Sequence, residues 1–205
     1  MKKLSFLFVV LISPFFLISQ NINDVFKTVP FDVIPGLSDE DKEMLLVNQD
    51  TIAITGTMGE IAKLAHSDTY IKLKTSKIGT TQIKIITTSE NESIVAVVRT
   101  VCADVCDSDV RFYTSRWEEL NKDIFFPNLT LDVFLDIDGI NNSSQTNINL
   151  PLFFPTSFDF DESSEDIKVK SEIEKTYSDN QSKFIRHYIK TEDIVLKWNG
   201  KSFSL

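Results

Sequence analysis

Cys102 and Cys106 are the only cysteines in the chain, and Ala103-Asp104-Val105 separates them. Thiols at that spacing have three chemistries open to them: a disulfide, a pair of buried free thiols, or a metal or redox centre. An even count in an oxidising compartment favours the disulfide. A redox-active pair usually has two intervening residues in a thioredoxin-like βαβ setting, and neither is present. Zinc needs further ligands, and the only histidines, His66 and His187, are far away in sequence. A bridge over so short a loop contributes about 2 kcal/mol in the loop-entropy account, so it fixes a connection rather than holding a domain together. It also requires a turn, because on a helix the two Cβ atoms stand too far apart to bond.

Arg99, Arg111 and Arg116 bracket that turn, with Tyr113 and Trp117 beside them. Arginine with aromatic residues is the make-up of binding hot spots, and the set can engage carboxylates or sugars. The competing reading pairs Arg99 with a local acid, Asp104 or Asp107, and makes Trp117 a core anchor. Two acidic stretches bear on calcium. Asp136-Ile137-Asp138-Gly139 has part of a calcium loop but lacks the third acidic step and the bidentate Glu. Asp159, Asp161, Glu162, Glu165 and Asp166 have no intervening base and read as a solvated turn between strands, with weak calcium binding as the other reading. Neither histidine has a nucleophile at a recognisable spacing. There is no G-x-S-x-G and no Gly-rich phosphate loop, so no catalytic residue, metal ligand or cofactor is assigned.

The N-terminus places this chemistry outside the cytoplasm. Lys2 and Lys3 precede an apolar run from Leu4 to Ile18, then Ser19-Gln20-Asn21 and an acidic sequence, which is the layout of a secretory signal peptide. The run falls short of the ~20 residues a spanning helix needs, and Pro14 interrupts it. Cleavage after Ser19 puts a small residue at the cut. No cysteine lies nearby to take a lipid, so the expected product is periplasmic or secreted and has no membrane span. Loss of the two lysines moves the formal charge from −9 to −11. That acidity disfavours nucleic acid and anionic membrane surfaces, which need clustered Lys and Arg.

The elements that must position these residues read as helices, then strands, then a mixed segment. Asn23 can cap a short helix over residues 24–29, ended by Pro30. Ser38 and Asp41 have capping-box spacing at the start of a second helix. From Thr51 the period becomes two, with Ile52 and Ile54, Ile71 and Leu73, and Ile83 and Ile85 alternating with polar neighbours. Residues 94–101 are apolar on both faces apart from Arg99, which marks a central strand covered on both sides. Residues 109–114 supply the next strand. Residues 138–149, rich in Gly, Asn and Ser, form the best internal loop. Asp179 can cap a late helix reaching His187 or Tyr188. Asn199-Gly200 signals a type I′ hairpin in which Leu196 faces Phe203.

The segment "SIVAVVRTVCADVCDSDVRFYTSRW" at 93–117, the ending "DIVLKWNGKSF" and the opening "DVFKTVPFDVIPGLSDEDKEMLL" resemble an exported Bacteroidetes family catalogued only as a domain of unknown function. Residues 128–151 carry none of the likeness. The resemblance implies an exported α+β protein from that bacterial group and transfers no catalytic residue. The expected fold is α+β: a mainly antiparallel β-meander with N-terminal helices on one face, and a C-terminal helix plus β-hairpin. The expected division is a signal peptide at 1–19, helix plus meander at 20–127, and loop, strands, helix and hairpin at 128–205. The second and third parts form one compact domain, with a pseudo-repeat as the open alternative. The functional expectation is a non-enzymatic binding or accessory module acting on a protein or cell-surface partner. The alternative is a hydrolase using paired carboxylates.

Overall fold

The computed structural model describes residues 20–47, 52–56, 59–143, 150–151, 153–191 and 193–205. The expected leader, Thr51 and the 144–149 part of the expected loop lie outside the described residues. The period-two stretch builds a seven-stranded antiparallel meander in which every strand lies beside its sequence neighbour. Its strands are β1 (Ala53–Gly56), β2 (Gly59–His66), β3 (Tyr70–Lys74), β4 (Gly79–Thr87), β5 (Ser93–Cys102), β6 (Cys106–Tyr113) and β7 (Glu119–Leu120). A second, four-stranded antiparallel sheet follows, ordered β11-β10-β9-β8. It comprises β8 (Thr156–Phe160), β9 (Ile167–Ser171), β10 (Asp193–Trp198) and β11 (Phe203–Ser204). The fold is therefore mixed α+β with a β-meander, as the sequence indicates.

Side-chain alternation divides the large sheet into two buried faces. Ile71, Leu73, Ile83, Ile85, Val95 and Val97 pack against Ile22, Val25 and Phe26 of α1 (Ile22–Lys27) and Leu45 of α2 (Asp39–Val47). On the reverse face Ile86, Ile94, Ala96, Val98, Val110 and Phe112 meet Phe158, Phe160, Ile167, Val169, Leu196 and Phe203 of the second sheet. Strand β5 lies between these layers, which is why its sequence is apolar on both sides. Three short helices, α3 (Lys122–Phe125), α4 (Leu131–Phe134) and α5 (Ile137–Asn141), bridge the sheets. A third apolar cluster, Leu135, Ile140, Ile173 and Ile185, ties this bridge to α6 (Asp179–Ile185).

The helix starts follow capping chemistry, with small departures from expectation. The first helix begins earlier than Asn23 implies, because Asn21 is the cap and its Oδ1 accepts the Asn23 N–H at 2.8 Å. The Ser38 capping box forms: Ser38 Oγ accepts the Asp41 N–H at 3.1 Å, and Asp41 Oδ2 accepts the Ser38 N–H at 3.1 Å. Ser178, not Asp179, occupies the cap position of α6, and a 3-10 turn over Arg186–Tyr188 continues that helix.

The final hairpin corrects the sequence reading. Trp198 pairs with Phe203 and Lys197 with Ser204, while Leu196 lies opposite Ile167 on the other side of β10. Of the two expected turn residues only Gly200 has positive φ, +90°, so the turn is not type I′. Asn199 acts through its side chain instead, with Oδ1 accepting the N–H groups of Lys201 and Ser202, each at 3.0 Å. The Gly200 carbonyl accepts the Ser89 N–H at 2.8 Å, and a Cβ at Gly200 would stand 3.2 Å from Ser89 Cβ. Gly200→Ala is therefore expected to cost about 1 kcal/mol or more, from positive φ and that close approach together. An unfolding midpoint matching the parent's would contradict this geometry.

The cysteines sit opposite each other at the end of the β5–β6 hairpin, and their sulfurs stand at disulfide distance, 2.05 Å. Just beyond the turn the Cys106 N–H donates to Glu172 Oε2 at 2.8 Å, so the hairpin end is joined to the segment after β9. Cys102→Ser with Cys106→Ser is expected to lower stability by only about 2 kcal/mol and to leave the fold intact. Peptide mapping of non-reduced protein, alkylated under denaturing conditions, tests the bridge. Full labelling of both thiols would reject it.

Candidate functional site

The arginine–aromatic set lies on and beside the face of the large sheet that α1 covers, and most of it has partners within the chain. The Arg99 Nη2 group donates to the Asp32 carbonyl at 2.6 Å and not to Asp104 or Asp107, while its Nε is buried with no hydrogen-bond partner among the described residues. The Arg111 guanidinium pairs with Asp109 at 2.9 Å and reaches Glu119 at 3.7 Å. The Asp109 hydrogen bond pushes its pKa up. Tyr113 is buried, and Trp117, itself at φ +65°, packs against it with ring centroids 5.5 Å apart. The Trp117 Nε1–H donates to Thr28 Oγ1 at 3.1 Å. Arg116 remains exposed at the tip of this group.

The acidic stretches are organised around amines and backbone. Asp136 caps α5, accepting the Gly139 N–H at 3.1 Å. Asp159 pairs with Lys72 at 2.7 Å, and Asp161 with Lys168 at 3.1 Å. Among the described residues no three metal-ligating side chains gather. The cation seated on the β8–β9 loop is the Lys84 ammonium, which donates to the Asp161 carbonyl and more distantly, at 3.4 Å, to that of Glu162. Lys84 lies on the face expected to be polar, yet it is only 2% exposed. Burial lowers its pKa, and Asp161, Glu165, Glu162 and Asp166 oppose that shift. The perturbed carboxylates are held ionised. The Ser163 hydroxyl holds Asp161 well below the ordinary range, the Thr130 hydroxyl lowers Asp132, and the Lys175 ammonium lowers Glu172.

Next to Lys84, burial drives the Tyr70 phenol far above its ordinary value of 10.0. A tyrosine whose folded pKa exceeds its unfolded one contributes stability that is complete below pH 10 and lost as pH climbs beyond it. Thermal stability is therefore expected to fall above about pH 10, and to fall less in Tyr70→Phe. Equal alkaline slopes in the two proteins would refute the assignment.

Among the described residues, an open groove of about 990 Å³ forms where several turns meet at one end of the sheets. Leu120 of β7, Ile124 and Phe125 of α3, and Ile94 of β5 give it an apolar floor. The β4–β5 turn contributes Ser89, Glu90 and Glu92, the β6–β7 turn Thr114 and Ser115, and α1 Asp24. Gly200 and Lys201, at the tip of the last hairpin, close the remaining side. The geometry of the β4–β5 turn is fixed locally: Asn91 is at φ +60°, and the Thr88 N–H donates to the Glu92 carbonyl at 2.8 Å. Ile124 is 61% exposed, a large apolar side chain left facing solvent. Sequence reasoning did not find this groove, because its lining comes from segments scattered between residues 20 and 201. Of the expected hot-spot residues, none lines it, although Arg116 and Trp117 follow directly on Ser115.

A family described as "Protein of unknown function (DUF3256)" matches residues 15–203. No curated protein matches. Among solved structures, a domain of an uncharacterized protein from Porphyromonas gingivalis W83 is similar at a TM-score of 0.74 and 21% identity. That match covers 89% of this chain and 96% of the other, and at this identity it establishes a common fold.

Proposed function

We propose that this chain, which belongs to the DUF3256 family, is an exported, non-enzymatic binding module for a protein or cell-surface partner. The observation that carries the reading is the open groove, with its apolar floor and exposed Ile124. Binding sites combine such a floor with a few convergent polar groups. The alternative raised from sequence, a hydrolase with paired carboxylates, calls for convergent acids with perturbed pKa values in one pocket. Asp132, Asp161 and Glu172, whose pKa values are lowered, lie on separate elements and none of them lines the groove. Export rests on the leader, and no helix among the described residues is long and apolar enough to cross a membrane.

Site-directed photocrosslinking in the native host tests the binding reading. A benzoylphenylalanine in place of Ile124 is expected to form a discrete adduct, whereas one in place of Leu64, exposed on β2 away from the groove, is not. Indistinguishable products from the two positions would defeat the groove as the contact surface. N-terminal sequencing of protein recovered from the host tests export, and a start at or within two residues of Gln20 is expected. Retention of Met1 on a membrane-bound form would overturn it.

A further inference from the structure

We propose that Asn199 is a site of self-modification, where the folded chain converts its own side-chain amide to aspartate and isoaspartate through a succinimide. Asparagine is a thermolabile residue in general, and the last hairpin gives this one the parts the reaction needs. The nucleophile is the Gly200 nitrogen. Among the described residues no acceptor meets its N–H, so no hydrogen bond has to break before the proton leaves. Glycine also has no Cβ to obstruct ring closure. The electrophile is the Asn199 Cγ, on an exposed side chain that water can reach.

The turn holds the charge that develops. As the nitrogen attacks Cγ, negative charge gathers on Oδ1, which already accepts the N–H groups of Lys201 and Ser202, each at 3.0 Å. Two fixed backbone donors at that distance are the means by which acyl-transfer sites stabilise a tetrahedral oxyanion. The Gly200 nitrogen gives its proton to water and bonds to Cγ. The Cγ–Nδ2 bond then breaks, and Nδ2 takes a proton from water and leaves as ammonia. Water opens the ring at Cγ to give aspartate, or at the Asn199 main-chain carbonyl to give isoaspartate. Asn142-Ser143 provides the contrast. It too is an exposed asparagine before a small residue, but the Ser143 N–H donates to the Ile140 carbonyl at 3.1 Å.

The modification falls on the groove. Gly200 and Lys201 line it, and the Gly200 carbonyl accepts the Ser89 N–H from its other side at 2.8 Å. Aspartate adds a negative charge there, and isoaspartate inserts a methylene into the main chain at the hairpin tip.

Incubation of the purified, folded chain in mildly alkaline heavy-oxygen water, followed by acidic digestion and mass spectrometry, tests the proposal. Enzymatic methylation identifies the isoaspartate. The peptide carrying Asn199 is expected to gain heavy oxygen and to separate into two products, at least tenfold faster than the peptide carrying Asn142. Urea-unfolded chain is expected to convert Asn199 no faster than folded chain. Asn199→Gln, which keeps the amide but needs a larger ring, is expected to stay unmodified. Retention of Asn199 in the folded chain while the unfolded chain loses it would show that the turn protects the amide, and would overturn the proposal. Equal conversion of Asn199 and Asn142 in the folded chain would overturn it as well, because the hairpin geometry would then contribute nothing.

Discussion

Gln82→Leu is expected to destabilise the chain by about 4 kcal/mol, because one side chain completes the hydrogen bonding of three buried groups. Gln82 is 1% exposed. Its Nε2 donates to the Phe158 carbonyl at 3.0 Å, while its Oε1 accepts the Phe160 N–H at 3.0 Å and the Tyr70 hydroxyl at 2.9 Å. Strand β8 is the end of its sheet, and Gln82 presents to it a donor and an acceptor as a neighbouring strand would. Ser108 Oγ accepts the Phe158 N–H at 3.0 Å, and Asp107 Oδ1 the Thr156 N–H at 3.2 Å, along the same edge. Leucine keeps the volume and strands all three partners of Gln82, each at about 1–3 kcal/mol. Urea unfolding measures the loss. A double-mutant cycle sharpens the test, because Tyr70→Phe is expected to cost less in the Gln82→Leu background than in the parent. A loss below about 1 kcal/mol would show that water replaces Gln82 and that the edge is not sealed.

Phe112→Ala is expected to cost a similar amount, about 4 kcal/mol, within the range for deleting a buried phenylalanine. Its ring joins the two sheets through α3, with centroids 5.1 Å from Phe125 and 6.2 Å from Phe203. The cavity opens between layers that these rings hold together. Amide exchange in β8–β11 is therefore expected to accelerate more than exchange in α1 and β1, whose buried side chains Ile22, Val25, Phe26 and Ile54 belong to the core on the opposite face. Uniform acceleration through both sheets would mean that they unfold as one unit and that Phe112 is not a local joint.

The parts of the fold legible from the sequence are those specified by neighbours. The Ser38–Asp41 capping box, the apolar β5 and the cysteine turn each depend on residues a few positions apart. Lys84 shows where that legibility ends. Between Ile83 and Ile85 it has the pattern of a solvent-facing position, but its ammonium meets the carbonyls of a loop 77 residues later. A one-sided alternation cannot reveal that a second sheet will cover the polar side. Asn199-Gly200 failed for a different reason: Gly200 takes positive φ as expected, while Asn199 uses its side-chain oxygen and leaves positive φ to the glycine alone. Arg99 and Trp117 were visible as chemistry, yet their partners, the Asp32 carbonyl and the Thr28 hydroxyl, lie in the segment around and after α1. The groove was invisible because it belongs to no single stretch of chain.

The side chains that seal β8 also impose an order in time. Every strand of the large sheet pairs with its sequence neighbour, so that sheet closes short loops and assembles quickly. β8 has no docking template until Gln82, Asp107 and Ser108 are aligned across β4 and β6, and its bond to Gln82 spans 76 residues. Refolding is therefore expected to show two phases in stopped-flow fluorescence, a fast one for the meander and a slower one for the second sheet, and a single phase would contradict this order. A chain halted between the steps displays a bare β8 edge, the surface by which incompletely folded copies join one another.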